Sequence, residues 1–226
     1  MSDDKCDIEV DIAADRGEPI GLIEPLTIGE SSRQRTQLID LTVELAQRSA
    51  GFRKSLPDGV IKALADLVRA MNCYYSNLIE GRDTHPIDIE RALKNDYSAD
   101  PEKRDLQLEA KAHIAVQEWI DEGGMDGRAF TAEGIREIHR RFCELMPKEL
   151  LVLKIESTGE EVPVIPGEYR TRDVEVGRHI PVSPGAVPRF MARFEEVYTK
   201  LGRTDTILAA ATAHVRGELL TQETCP

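Results

Sequence analysis

The sequence has few cysteines, and their spacing excludes the sites that cysteine commonly builds. Cys6, Cys73, Cys143 and Cys225 are far apart and include no Cys-x-x-Cys pair. A zinc site or a disulfide framework needs closely spaced or paired cysteines. We therefore predict that the thiols are reduced.

Long apolar runs are also missing. No stretch approaches the ~18–20 apolar residues that a membrane-spanning helix needs. The N-terminus reads Met-Ser-Asp-Asp-Lys-Cys-Asp, which is acidic and lacks the apolar region of a secretory signal. These absences predict a cytoplasmic protein with no membrane partner.

Positive charge is scarce relative to negative charge. The 226 residues contain 29 lysines and arginines against 41 acidic residues, which gives a net charge of −12 and a pI near 5.0. A protein that binds nucleic acid needs a basic surface to face the phosphates. The main arginine cluster shares one predicted helix with acids and indicates an ion-paired surface: Arg136, Arg140 and Arg141 with Glu133, Glu137 and Glu144. We predict no nucleic-acid partner for this domain.

The motifs of the common catalytic and metal sites do not occur. The five histidines include no i, i+4 pair, and there is no Walker A loop, Gly-x-Ser-x-Gly elbow or Gly-x-Gly-x-x-Gly turn. The sequence therefore predicts no metal site. From these motifs alone the chain is an acidic, mostly helical domain.

Helical periodicity is what the sequence does contain. Apolar residues recur at three- and four-residue steps in segments over 32–50, 57–80, 86–93 and 102–121, and again after Thr131, Val187 and Thr204. Between Leu150 and Pro184, valines alternate with polar residues among glycines and prolines. This change predicts a small β-hairpin, with strands over 172–176 and 179–182. The predicted class is mainly α with a small β-hairpin.

This pattern predicts that the chain is divided into three parts. Residues 1–31 carry acids, prolines and glycines without a sustained period and predict an irregular arm. Residues 32–95 contain the N-terminal helices. Residues 96–226 form the remaining helical domain and its hairpin.

One short segment, Ser76-Asn-Leu-Ile-Glu80-Gly81, places an acid where its own helix disfavours it. Gly81 sits where a C′ glycine ends a helix, so Glu80 would lie in the last turn at the negative end of the macrodipole. Ser76 and Glu80 are four residues apart and share one face. Glu80 is then either an exposed acid that tolerates the dipole or an acid that a cation elsewhere in the protein would pair.

Four segments in order resemble the Fic (Fido) family. Ser76-x-x-x-Glu80-Gly81 resembles the inhibitory motif that precedes the core of many Fic proteins. Gly167-Glu-Tyr-Arg170 with Val174-x-Val176-Gly177 and His179-Ile-Pro-Val-Ser-Pro184 resembles the flap hairpin. Val187-Pro-x-Phe-Met191 and Ala209-Ala-Ala-Thr-Ala-His214-Val-Arg216 resemble the two helices that lead into the active site. The resemblance spans residues 32–216.

The resemblance implies a fold and an activity. Fic proteins have a helical domain with a β-hairpin flap, and most transfer AMP from ATP to a hydroxyl side chain of a target protein, with Mg²⁺ as cofactor. It implies that Ser76, Glu80 and Gly81 form a regulatory, inhibitory motif. It also implies that a flap docks the target by strand pairing. The residues of this flap are Arg172, Asp173, Val174, Glu175, Val176 and His179.

The chain departs from the family at the catalytic signature, His-Pro-Phe-x-x-Gly-Asn-Gly-Arg, which does not occur in it. The family's catalytic His would fall near position 221, where this sequence has Thr221. We expect a truncated or frame-shifted end, no catalytic residue in this chain and no productive binding of ATP and Mg²⁺. Apolar surface left exposed would favour a homo-oligomer or another covering partner.

Two functions therefore remain open. The first is a self-inhibited Fic adenylyltransferase, represented by a chain that is inactive without its catalytic loop. The second is a non-enzymatic protein-interaction module or a non-functional remnant.

Overall fold

The computed structural model describes residues 14–24, 26–79, 81–82, 84–155, 159–174 and 181–222, and for residues 23 and 213–222 it describes only the backbone. Its helices are α1 (Arg35–Ser55), α2 (Asp58–Ile79), α3 (Pro86–Leu93), α4 (Pro101–Asp121), α5 (Ala132–Glu144), α6 (Val187–Tyr198) and α7 (Arg203–Gln222). Its strands are β1 (Val152–Lys154) and β2 (Glu161–Pro163). The prediction of a mainly helical chain with a small antiparallel sheet is confirmed. None of the helices in these ranges is long and apolar enough to cross a membrane.

Side-chain caps begin two of the helices. The Asp100 carboxylate accepts a hydrogen bond from the Glu102 amide at 3.1 Å, and Pro101 occupies the first turn of α4, where its missing N–H costs nothing. The Thr131 hydroxyl accepts from the Gly134 amide at 2.9 Å at the start of α5. The predicted cap at Thr131 is confirmed. α1, in contrast, runs past Gly51 to Ser55, because a single glycine costs a helix interior only about 1 kcal/mol.

The strand pair lies earlier in the chain than the predicted hairpin. β1 and β2 are antiparallel, with Leu153 opposite Val162, and Gly159 turns the chain between them with a φ of +70°. At the predicted position, residues 172–174 and 181–182 are not in strands, and residues 175–180 lie outside the described part.

Two local features account for the irregular backbone at 172–174 and 181–182. The Arg170 guanidinium donates hydrogen bonds to the backbone carbonyls of Arg172 and Val182, which a strand ladder would otherwise use. Pro181 offers no N–H to a ladder.

The chain divides into two compact units, one comprising Ser31–Glu168 and the other comprising Met1–Glu30 with Tyr169–Pro226. In the first unit, α2, α3 and α4 pack together around Cys73, Ile89, Ala110 and Ile114. These small and medium side chains let the three helices approach closely. The three-part division predicted from the sequence remains a prediction.

Gln107 of α4 is completely buried and holds the link between α3 and α4. Its amide nitrogen donates to the Asp88 carbonyl at 3.1 Å and to the Asp96 carbonyl at 3.4 Å. Its amide oxygen accepts from the Ser98 amide at 2.7 Å. A buried polar side chain is tolerated when its hydrogen bonds are made, as they are here.

The buried face of α2 carries polar side chains, and its exposed face carries large apolar ones. The face that packs inward buries Arg69, Cys73 and Asn77. The apolar stripe found in the sequence lies on the opposite side, and most of its large side chains are exposed: Val60, Leu64, Leu67, Val68, Tyr75, Leu78 and Ile79. The predicted periodicity is present, but its apolar side faces away from the core.

In the second unit, residues of the N-terminal segment bind the region between 173 and 193. Arg16 pairs with Asp173 at 2.6 Å, and Asp15 accepts from Arg189 at 2.9 Å. The buried Ser183 donates from its amide and its hydroxyl to the Glu18 carboxylate at 2.7 and 2.8 Å. A short 3-10 turn, Ile20–Ile23, interrupts an otherwise irregular segment.

Candidate functional site

The end of α2 has the geometry that Gly81 predicts. Gly81 has a φ of +71°, its amide donates to the Leu78 carbonyl at 3.1 Å, and the Arg82 amide donates to the Asn77 carbonyl at 2.8 Å. These bonds satisfy carbonyls that the end of a helix would otherwise leave without partners. The prediction that Gly81 ends the helix is confirmed.

A buried hydrogen bond fixes the chain after this turn. The Asn77 side-chain amide, on the inner face of α2, donates to the Thr84 hydroxyl at 3.1 Å, and both residues are buried. The bond joins the last turn of α2 to Thr84, two residues before α3 begins. It therefore ties α2 to the stretch of chain that leads into α3.

Arg82, which directly follows Gly81, pairs with Glu109 of α4. Glu109 is three-quarters buried on its side chain, whereas Arg82 is about half exposed. The pair connects the residue after Gly81 to the helix on which α2 packs.

Two neighbouring cavities lie beside this ion pair. One, of about 300 Å³, is lined by Ser76, Asn77, Arg82, Glu109, His113 and Phe142. The other, of about 520 Å³, is lined by Gly81, Arg82, Glu102, Asp105, Leu106, Glu109, Met146 and Leu150. Both share Arg82 and Glu109, so the ion pair forms the wall between them.

Burial shifts the pKa values of His113, which lines the first cavity, and of Cys73 in the core. Burial lowers the pKa of His113, while the negative charge of Glu109 acts in the opposite direction. Burial, and secondarily the charge of Glu109, raises the pKa of Cys73 to about 11. His113 therefore faces the cavity as a neutral imidazole near pH 7, and Cys73 is an unreactive thiol.

Of the three predicted residues of the inhibitory motif, the structure describes Ser76 and Gly81. Ser76 is exposed and lines the first cavity, and Gly81 lines the second. Glu80 lies outside the described residues, so its pairing with a cation and its position beside Ser76 stay predictions. Sequence reasoning missed Arg82, Glu109 and His113. Arg82 carried the only available signal, since it follows the motif directly.

The predicted flap residues are described only in part. Arg172 lies in a bend, Asp173 pairs with Arg16, and the Arg16 hydrogen bond lowers the pKa of Asp173. Val174 is half-buried and follows them in irregular backbone. Glu175, Val176 and His179 lie outside the described part. Their role in docking a target stays a prediction.

Gly167, which opens the segment resembling the flap region, is held by α5. Its amide donates to His139 Nδ1 at 2.9 Å, and its carbonyl accepts from Arg136 Nε at 2.7 Å. Because Nδ1 accepts, the neutral imidazole carries its proton on Nε2, which lies 3.4 Å from the Cys143 sulfur. His139 is thus a structural residue.

The arginine cluster on α5 is ion-paired, as predicted. Arg140 pairs with Glu133 at 3.3 Å and with Glu137, and Arg141 pairs with Glu137 at 2.7 Å. Over the described ranges, no group of three or more histidines, cysteines and acids is placed to hold a metal ion.

Comparison with known proteins gives one informative match. No protein family model matches the chain, and no solved structure matches it. The chain is 26% identical over 172 residues to Protein adenylyltransferase Fic of Drosophila mojavensis, and the match covers 73% of this chain. The match supports a distant relationship to the Fic family. The chain spans 31% of the length of that relative, so the activity of the whole relative is a proposal for this chain.

Proposed function

We propose that this chain belongs to a self-inhibited protein adenylyltransferase of the Fic type, which transfers AMP from ATP to a hydroxyl of a target protein. The observation that carries the proposal is the combination of the Fic similarity with the Ser76–Gly81 motif at a helix end. Glu80 is the inhibitory acid, and Ser76 stands on the same helical face. In the family this acid pairs with the second arginine of the catalytic signature.

The residues of this chain do not fit ATP and Mg²⁺. The signature that holds both in the family does not occur among the 226 residues. The larger cavity beside the motif is lined by Glu102, Asp105 and Glu109 against one cation, Arg82, which is already paired. Such a negative wall disfavours a triphosphate. We infer that these residues alone do not transfer AMP.

Restoring the signature tests the proposal. A chain extended with a His-Pro-Phe-x-x-Gly-Asn-Gly-Arg segment is incubated with labelled ATP and Mg²⁺, with and without Glu80→Gly. We expect weak self-labelling that rises at least tenfold with Glu80→Gly, because removing the acid frees the arginine of the signature. Glu144→Gly, at the end of α5, is the matched control and should not change the labelling. Equal labelling with and without Glu80→Gly would remove the inhibitory role.

The flap is tested separately. We propose that residues 172–179 dock the target through backbone pairing, on the basis of their resemblance to the family's flap. In the extended Glu80→Gly chain, Val174→Pro removes one backbone donor and should reduce labelling of a target protein while self-labelling persists. A proportional loss of both activities would argue against docking by this segment.

A second candidate function follows from the missing signature. A non-enzymatic interaction module would bind a protein partner saturably and would show no heat of Mg-ATP binding in calorimetry. In that case the extended chain would also fail to label itself.

A further inference from the structure

The N-terminal segment holds both ends of the stretch 173–183, which contains most of the proposed docking segment. The Arg16 guanidinium donates two hydrogen bonds to the Asp173 carboxylate, at 2.6 and 2.9 Å. The Glu18 carboxylate accepts from the amide and the hydroxyl of Ser183, at 2.7 and 2.8 Å. Arg16 Nε and Glu18 Oε1 are 3.6 Å apart, so the two contacts belong to one group of charges. Positions 16 and 18 therefore keep the two ends of the stretch close together.

Ser183 depends on the N-terminal segment for its hydrogen bonds. The residue is completely buried, and its hydroxyl donates to Glu18 and accepts from the Arg16 amide at 3.1 Å. Its carbonyl accepts from the Ala186 amide at 3.0 Å in the turn that leads into α6. A buried donor that loses its acceptor costs free energy. The amide and hydroxyl of Ser183 therefore favour the state in which Glu18 is bound.

The same segment is bonded to α6 at two further places. Asp15 accepts two hydrogen bonds from Arg189, at 2.9 and 3.0 Å, and Glu24 accepts from Arg193 at 3.2 Å. The two arginines are four residues apart and share one face of α6. Residues 15–24 therefore follow one helix, and this support fixes the positions of Arg16 and Glu18 between its two attachments.

The contacts are made at the ends of the stretch and not along it. Neither Arg16 nor Glu18 is bonded to the described residues inside the stretch, which are Val174, Pro181 and Val182. A segment that blocked docking would take the backbone groups that strand pairing uses. Over these three residues the N-terminal segment supports the stretch without taking its backbone groups.

We propose that Arg16 and Glu18 are positioning residues, which clamp the ends of the stretch 173–183 and order it before a target protein binds. The proposal rests on the proposed role of residues 172–179 in docking. Ordering a binding segment in advance lowers the entropy that is lost when the partner binds. The clamp therefore acts on the affinity for the target and leaves the rate of AMP transfer unchanged.

Hydrogen exchange of the full 226-residue chain, followed by mass spectrometry, measures the clamp directly. Glu18→Ala and Arg16→Ala should each speed the exchange of amides within 173–183 at least tenfold, because each substitution releases one end of the stretch. Glu18→Gln keeps an acceptor for the Ser183 amide and should retain most of the protection. Amides of α4 should exchange as in the wild type in all three variants.

Glu196→Ala is the control within the same compact unit. Glu196 is an exposed acid of α6 that pairs with Arg193 at 3.1 Å and with Lys200 at 3.2 Å, and it contacts neither end of the stretch. Its removal should leave the exchange of the stretch unchanged. Unchanged exchange in both the Glu18→Ala and Arg16→Ala chains would overturn the clamp, and so would an equal acceleration in α4, which would indicate general unfolding.

A second experiment measures docking in the extended Glu80→Gly chain described above. An array of extended peptides that contain serine, threonine or tyrosine serves as the acceptor, and the peptide that is labelled best is the probe. Glu18→Ala should raise the KM for this peptide at least tenfold, while kcat and the KM for ATP stay unchanged.

The possible results of this experiment separate the two proposals. An unchanged KM for the peptide, or a loss confined to kcat, would overturn the positioning role. A chain that labels neither itself nor any peptide would refute the adenylyltransferase proposal instead, and hydrogen exchange alone would then decide whether the clamp exists.

Discussion

Arg69 of α2 donates a hydrogen bond to Asp121 at the end of α4 at 2.7 Å, and its guanidinium is almost completely buried. The same group contacts Asp66 on its own helix and Glu118 on α4. One buried cation therefore holds three acids on two helices. All three carboxylates are about half exposed, so water screens the charge, and the hydrogen bonds provide most of the stabilisation.

Replacing this arginine should destabilise the first unit. Arg69→Ala removes two charge-assisted hydrogen bonds and the packing of the aliphatic stem, and we expect the free energy of unfolding to fall by about 1.5–3 kcal/mol. Urea denaturation measures the change. Arg104→Ala is the control, because Arg104 is exposed and its one ion pair within the described ranges is with Asp105 at 3.9 Å. This variant should stay within about 0.5 kcal/mol of wild type. Equal effects of the two substitutions would contradict the bridging role.

Replacing Gly81 and replacing Gly59 by alanine should change the free energy of unfolding in opposite directions. An added Cβ would meet nothing within 4 Å at either position, but Gly81 has a φ of +71° and Gly59 is in the first turn of α2. Gly81→Ala should cost about 1 kcal/mol because an L-residue is strained at that φ. Gly59→Ala should stabilise by a few tenths to about 1 kcal/mol through helix propensity. Thermal unfolding of the two variants checks the signs.

Cys73 should make stability depend on alkaline pH. Its pKa in the folded state is raised to about 11 from an ordinary value of 9.0, because the thiol is buried. The stabilisation is therefore fully present below pH 9 and is lost as the pH rises through 11, when the unfolded chain ionises first. Two pKa units correspond to about 2–3 kcal/mol.

The comparison that isolates this effect uses Cys73→Ala. Urea denaturation at pH 8.5 and 10.5 should show a larger loss of stability for the wild type than for the variant. Native Cys73 should also resist iodoacetamide at pH 8, where about one thiol in a thousand is ionised at this pKa. Rapid alkylation in the folded protein would refute the assignment.

His113 should titrate below its ordinary range. Burial lowers the pKa of His113, and Glu109 limits the shift. Glu109→Gln removes the negative charge, so the pKa of His113 should fall further. Nuclear magnetic resonance of the imidazole protons from pH 8 to pH 4 measures both values. Because the folded pKa is depressed, the stability this histidine contributes is present above pH 6.5 and is lost on acidification. A rise in the pKa of His113 in the variant would contradict the proposed balance.

Local signals made the helix ends predictable. Gly81 ends α2 and Thr131 begins α5 because a positive φ and a hydroxyl cap act within one turn of chain. The arginines of α5 pair with glutamates three and four residues away, which is again a local relation. Such features are decided by neighbours in the sequence, and the sequence displays them.

The features that could not be predicted from the sequence depend on residues that are distant in the chain. Periodicity located the apolar stripe of α2 but could not show that the helix packs inward through Arg69, Cys73 and Asn77. That choice follows from acids on α4 and from Thr84. The strand pair forms at Val152–Lys154 and Glu161–Pro163, whereas Arg170 binds the carbonyls of Arg172 and Val182 in the segment where the hairpin was predicted. At the candidate site, Glu109 and His113 were missed because they lie on α4, about thirty residues after the motif.

The buried amide of Gln107 has a consequence for the order in which the first unit folds. Its three backbone partners lie 9, 11 and 19 residues away, so the loop it closes is short and costs little chain entropy. Local closures of this size precede pairings between distant segments in folding. The link between α3 and α4 should therefore become ordered early, and α2 then docks on a surface that already exists.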